Sequence, residues 1–231
     1  MNRLLLVFFA VAITAVPVSG SRLAPRIVGG TKVTEGTRPS YIVYVGLGYS
    51  DLRDVDGTQV IKSKRVINHP DFDFFTNWND IALIELPEEV ELTDKIQTIP
   101  INRYDVAPGT KLMISGWGAI SSNPEVYPYR MRQAIVDAFD RETCKNIYLG
   151  ILKDITEDMI CAQAEEGGKD KCLADSGGPI VSHFDQAGGE VLQGLISWGH
   201  GCDSEYPSVY TRVGSYCDWF AQVTKGDVTC Q

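Results

Sequence analysis

The chain has 231 residues, 44% of them hydrophobic and 22% charged, with a formal net charge of −9 and a pI near 4.8. That apolar content can bury a substantial core, in one domain or two closely packed halves, and excludes a disordered tail. An acidic surface excludes nucleic acid and anionic membrane as partners, since neither is attracted to it, and leaves extracellular proteins or peptides as the fitting class.

Residues 1–20 read as a secretory signal peptide, with Arg3, an apolar run from Leu4 to Val16, and the small residues Val18-Ser19-Gly20. The run is too short for a membrane span and no later stretch is long enough, so a soluble, secreted, monomeric protein is expected. Residues 21–26, Ser21-Arg22-Leu23-Ala24-Pro25-Arg26, form a short polar segment that ends in a basic residue. From Ile27 onward the pattern is β. The runs Tyr41–Val45, Val60-Ile61, Ile81–Leu86, Lys111–Ile114 and Val191–Trp198 are rich in branched and aromatic residues, and Gly, Pro, Asn and Asp separate them. Many short strands without βαβ alternation indicate a barrel or sandwich, and hence an all-β fold class. Two stretches read as helical: one follows Asp140-Arg141-Glu142-Thr143, with Cys144 in its first turn, and the other is Tyr216–Val223 near the C-terminus. Asp51-Leu52-Arg53-Asp54-Val55-Asp56-Gly57 is an acidic loop that is either a solvated turn or a calcium loop, although its spacing matches no complete site. Six cysteines in a secreted chain imply disulfides, and spacing alone does not choose their pairing. Zinc is the weaker reading, because no Cys-x-x-Cys or histidine pair is present; no metal or other cofactor is expected.

Chemistry concentrates in Lys169-Asp170-Lys171-Cys172-Leu173-Ala174-Asp175-Ser176-Gly177-Gly178-Pro179. A serine between an aspartate and two glycines sits on a tight turn where its hydroxyl stands clear of the backbone. The glycines tolerate positive φ and let a carbonyl approach main-chain N–H groups. With Arg26-Ile27-Val28-Gly29-Gly30 upstream and Ser197-Trp198-Gly199 downstream, this stretch resembles the chymotrypsin/trypsin-like serine protease family from Ile27 to the C-terminus.

The resemblance implies two packed antiparallel β-barrels with a C-terminal helix over 27–231. Residues 27–107 would be the N-terminal barrel and 108–231 the C-terminal one. It makes Ser176 the nucleophile and Asp80, in Asn79-Asp80-Ile81-Ala82-Leu83-Ile84, the carboxylate that orients a histidine general base. Ala174 and Ser176 would supply the oxyanion-hole N–H groups. Asp170, Lys171, Ser197, Trp198, Gly199 and Ser208 would form the specificity pocket, whose carboxylate selects Arg or Lys. A protease that cuts between Arg26 and Ile27 would free an ammonium to pair with Asp175, since a buried carboxylate needs a partner. The same resemblance implies the disulfides Cys144–Cys161 and Cys172–Cys202, with Cys217–Cys230 remaining. A single helix from Cys217 to Cys230 would hold them about 20 Å apart, so the tail must double back, with Gly226 as the turning point.

Four features depart from the family. None of the three histidines lies in the Ala-Ala-His-Cys setting of the general base. His69 belongs to a segment that follows it, His183 to a polar loop after the serine strand, and His200 to the far rim of the cleft. The strand, Cys-Gly-Gly turn and His-Cys pair that the family places after Tyr41–Tyr44 are missing, which leaves the N-terminal barrel incomplete, with open edges. Ala174 stands where the family has glycine, and losing an oxyanion donor costs on the order of 100-fold or more in rate. Lys171 can occupy the Asp170 carboxylate, and Ser208 narrows the pocket. Two functions follow as expectations. One is a secreted Arg/Lys-specific endopeptidase whose activity belongs to a longer form of the chain. The other is a non-catalytic homologue that binds secreted proteins.

Overall fold

A computed structural model describes residues 43–122, 125–150, 153–164, 175–184, 186, 189–199 and 206–231. The chain starts with four short strands: β1 (Tyr44–Leu47), β2 (Gln59–Lys62), β3 (Arg65–Asn68) and β4 (Ala82–Glu85). β1 pairs antiparallel with β2, and β3 with β4, as separate two-stranded sheets. There follow β5 (Lys111–Gly116), the short hairpin β6 (Ser121–Ser122) and β7 (Glu125–Val126), β8 (Arg132–Ala138), helix α1 (Arg141–Tyr148), β9 (Met159–Gln163), β10 (Pro179–Ser182), β11 (Val191–Trp198) and β12 (Ser208–Arg212). A 3-10 turn (Val213–Tyr216) then leads into helix α2 (Cys217–Thr224).

Six of these strands close on themselves in the order β10-β11-β12-β9-β8-β5. Closure removes both sheet edges, which explains how strands of only four to eight residues stay paired. The alternation of Leu112, Ile114 and Gly116 with more exposed neighbours along β5 puts every second side chain inside. There Leu112 and Ile114 meet Val136, Ile160, Ile180, Ile196 and Tyr210.

The first four strands have two different cores. Ile81 and Leu83 pack with Val181, Leu192, Val213, Tyr216 and Phe220, so β4 shares its apolar face with the barrel and α2. Val45, Leu47, Leu86, Val90 and Ile96 form a smaller cluster of their own. A polar clip joins the β1–β2 region to the segment just before β8. Leu52 N–H donates to Tyr129 O (2.9 Å) and Met131 N–H to Ser50 O (2.8 Å). Asp51 accepts from Arg53 and from Arg130 Nε, and the hydrogen bonds from Arg53 hold its carboxyl well below the usual range. Those arginines occupy the first carboxylate of the acidic loop, and Asp54 accepts from Asp56 N–H in a local turn.

The second half bears out the helices and two of the disulfides. Helix α1 starts at Arg141 rather than after Thr143, because Asp140 caps it and its side chain accepts from Thr143 N–H at 2.8 Å. Cys144 and Cys161 are bonded with their Cα atoms 6.4 Å apart. Cys217 and Cys230 are bonded at 5.9 Å. The tail does double back: α2 stops at Lys225 (φ 57°) and Gly226 (φ 87°), both left-handed. The expected Cys172–Cys202 bridge, the signal and propeptide segments and Arg26-Ile27 lie outside the described residues. Among the described residues, no helix is long and apolar enough to cross a membrane.

Candidate active site

Ser176 occupies the second position of a turn closed by Gly178 N–H donating to Asp175 O at 2.9 Å. Gly177 holds the third position at φ 85°, where a side chain would be strained and where such a turn needs positive φ. The turn lies against β11: Gly177 N–H donates to Ile196 O and Ile196 N–H to Gly178 O, both at 2.8 Å. Gly178 has no room for a Cβ, because Asp175 O and Ser115 O would lie 2.9 and 3.1 Å from it. Ser176 is exposed, and among the described residues nothing hydrogen-bonds its hydroxyl. The sequence pattern therefore gives the expected raised serine.

Beside it, Asp175 turns inward. Its Oδ1 accepts from Gly118 N–H at 2.7 Å, and a Cβ on either Gly116 or Gly118 would collide with the carboxylate. Gly116-Trp117-Gly118 is thus a cradle that glycine alone permits. The sequence reading missed it, although two glycines flanking a tryptophan at the end of a strand were the available signal.

A bulge in β11 sets the position of Asp80's partner. Ile196 pairs with Tyr210 and Trp198 with Val209, which leaves Ser197 as the extra residue in the ladder. A bulge re-aims the side chain it releases. Ser197 Oγ donates to Asp80 Oδ2 at 2.6 Å, while Thr211 Oγ1 donates to Asp80 O at 2.9 Å. The structure therefore brings together Asp80, Ser197 and, through the Ile196 contact, Ser176. A second bulge in the same strand releases Gln193. Buried, Gln193 donates to Ser182 Oγ (2.6 Å) and accepts from Asn102 Nδ2 (2.7 Å).

Of the three histidines, the two that are described lie elsewhere. His69 packs against Trp219 and Tyr216, with ring centroids 4.8 and 5.3 Å apart, and its Nδ1 accepts from Asp71 N–H. Tyr216 in turn donates to Asn79 Oδ1 at 3.2 Å. Burial, and then the carboxylates of Asp158 and Asp80, push the Tyr216 hydroxyl up. His183 lies past the far end of β10 from the serine turn, roughly 15–20 Å away by strand rise. His200 lies outside the described residues, as do Asp170, Lys171 and Ala174.

Trp198, next to Ser197 in β11, is buried. Its ring meets the edge of Tyr148 at 5.0 Å, and Tyr148 is anchored by donating to Pro207 O at 2.6 Å. Around them the Cys144–Cys161 bridge, Ile155, Met159 and Val209 form one cluster. Ser208 opens β12 and is buried, opposite Ala162. No sequence signal marked Lys153, whose ammonium lies over the Trp198 ring, 5.5 Å from its centroid. Among the described residues, no group of His, Cys, Asp and Glu side chains could hold a metal ion.

A sequence model of the trypsin family matches residues 31–220. Similar characterised proteins include anionic trypsin of Canis lupus familiaris, 40% identical over 77% of this chain and 69% of that protein. Trypsin of Sus scrofa is 38% identical over 78% and 75%, respectively. Trypsin Blo t 3 of Blomia tropicalis is 39% identical over 74% and 64%, so this chain spans about two thirds to three quarters of their lengths.

Proposed function

This chain belongs to the trypsin family of serine proteases, and from that premise we propose that it is a secreted, disulfide-bonded peptide-binding domain that hydrolyses its ligand poorly, if at all. Its signal peptide is 1–20, its propeptide 21–26, and its functional domain 27–231. A peptide with Arg or Lys at the Asp170 pocket lies along Ser197-Trp198-Gly199, with its carbonyl at Ser176. Asp80 and Ser197 orient one another, but among the described residues no imidazole stands between Asp80 and Ser176 to take the serine proton.

The observation that carries this reading is the Ser197–Asp80 hydrogen bond. The orienting carboxylate is built and held at 2.6 Å, while His69 is committed to the Tyr216–Trp219 cluster. An unassisted serine hydroxyl is a weak nucleophile at neutral pH, and loss of one triad member costs on the order of 10⁴ to 10⁶ in rate. Cutting at Arg26-Ile27 would still assemble the binding cleft, through an ammonium drawn to Asp175.

The test is a fluorophosphonate probe applied to protein cleaved between Arg26 and Ile27. We expect the protein to label no faster than its Ser176→Ala control, while Arg-containing peptides still associate. Rapid labelling of Ser176 would overturn the non-catalytic reading. It would favour the second one, an active Arg/Lys endopeptidase, which the exposed Ser176 and its intact turn support.

A further inference from the structure

We infer that Lys153 makes the cleft selective for peptides with acidic side chains upstream of the residue whose carbonyl meets Ser176; this rests on the cleft reading above. Lys153 comes from the segment between α1 and β9, and Asn77 from the loop between β3 and β4. Lys153 Nζ donates to Asn77 Oδ1, so the two loops meet over Trp198. Among the described residues, no carboxylate lies within ion-pair reach of this ammonium. The field of Lys153 reaches Asp73, but that carboxylate is already held by the N–H groups of Phe75 and Thr76 at 2.7 and 3.0 Å. A half-buried cation, held by a neutral amide and an aromatic face, retains the capacity to pair with an anion.

The path of the ligand puts that anion within reach. The serine turn is hydrogen-bonded to Ile196, and the strand then runs through Ser197 to Trp198. On the cleft reading, an extended peptide with its carbonyl at Ser176 follows this strand, so that the residues preceding that carbonyl pass the Trp198 ring and Lys153 above it. The protein as a whole bears a net charge of −9, which disfavours acidic ligands at long range. Selection for them must come from a local cation.

The experiment is fluorescence anisotropy at about 0.15 M salt, where the Debye length is about 8 Å and the long-range repulsion is screened. The probes are fluorescein-Asp-Asp-Asp-Arg-amide and its counterpart with three asparagines. The expected result is about fivefold tighter binding of the aspartate peptide, a ratio that falls to about one in Lys153→Gln, survives in Lys153→Arg and inverts in Lys153→Glu. Equal binding of both peptides to the unmodified protein, or a preference that Lys153→Gln leaves unchanged, would overturn the assignment of Lys153 while leaving the cleft reading in place. If neither peptide binds, the cleft reading falls, and this inference with it.

Discussion

Two serines near one another illustrate how differently a hydroxyl can be used. Ser197 donates to the Asp80 carboxylate from a bulge built to aim it, so Ser197→Ala should lower the unfolding free energy by about 1.5 kcal/mol in urea denaturation. Ser176 is exposed, and Ser176→Ala should change stability by no more than about 0.5 kcal/mol. The residue expected to carry the chemistry is thus the one that stability does not register. Gly177→Ala is a third case. Nothing lies within 4 Å of the added methyl, but the backbone is at φ 85°, so the cost is conformational, about 1 kcal/mol. At Gly178 the methyl meets backbone oxygens instead, and the same substitution should cost more.

Among the elements, β4 carries the clearest electrostatic commitment. Glu85 is buried at its end and is held by Lys64 and Arg65 from the β3 side. Those hydrogen bonds, that from Lys64 foremost, hold its carboxyl below the ordinary glutamate value. A carboxyl lowered by folding stabilises the protein fully above its unfolded pKa of about 4.3, and that contribution is lost as pH falls through the lowered folded value. Glu85→Gln should therefore cost about 1–3 kcal/mol at pH 7, with the gap to the parent protein closing in acid melts. Helix α2 offers the opposite change: Lys225 ends it at φ 57°, a conformation glycine adopts freely. Lys225→Gly should add about 0.5–1 kcal/mol, read as a rise of about 1–4 °C in Tm. The elements legible in the sequence were those whose signals are local: the apolar runs of β5 and β11, the existence of α1 though not its start, the turn at Gly226, and the Asp-Ser-Gly-Gly turn. What was not legible depends on partners far along the chain. Ser197's release from the β12 ladder needs the register of two strands, the fit of Asp175 needs Gly116 and Gly118, and Lys153 meets Asn77 from 76 positions away.

At the scale of the whole molecule, the division into halves is not the division of the core. β3–β4 shares the apolar face of Leu83 with the barrel and α2, whereas β1–β2 rests on a separate cluster with Leu86, Val90 and Ile96, against which Ile84 of β4 also packs. Amide exchange should rank the barrel strands slowest, β3–β4 next and β1–β2 fastest; uniform protection across all three would contradict this. Reducing Cys217–Cys230 should loosen the tail that wedges Gln231 between Ile101 and Arg103, at a cost of about 3 kcal/mol for a loop of this size. The four tryptophans sit in four different settings. Trp78 is exposed on the β3–β4 loop, Trp117 donates to Tyr129 O, Trp219 packs on His69, and Trp198 has a lysine ammonium over its ring. A positive charge at an indole face shifts the energy of the excited state relative to the ground state, and Tyr148 at the ring's edge can pass absorbed light to it. The emission colour of Trp198 should therefore act as an optical gauge of the Lys153 ammonium, and on the proposed cleft reading it should change when a ligand draws that ammonium away.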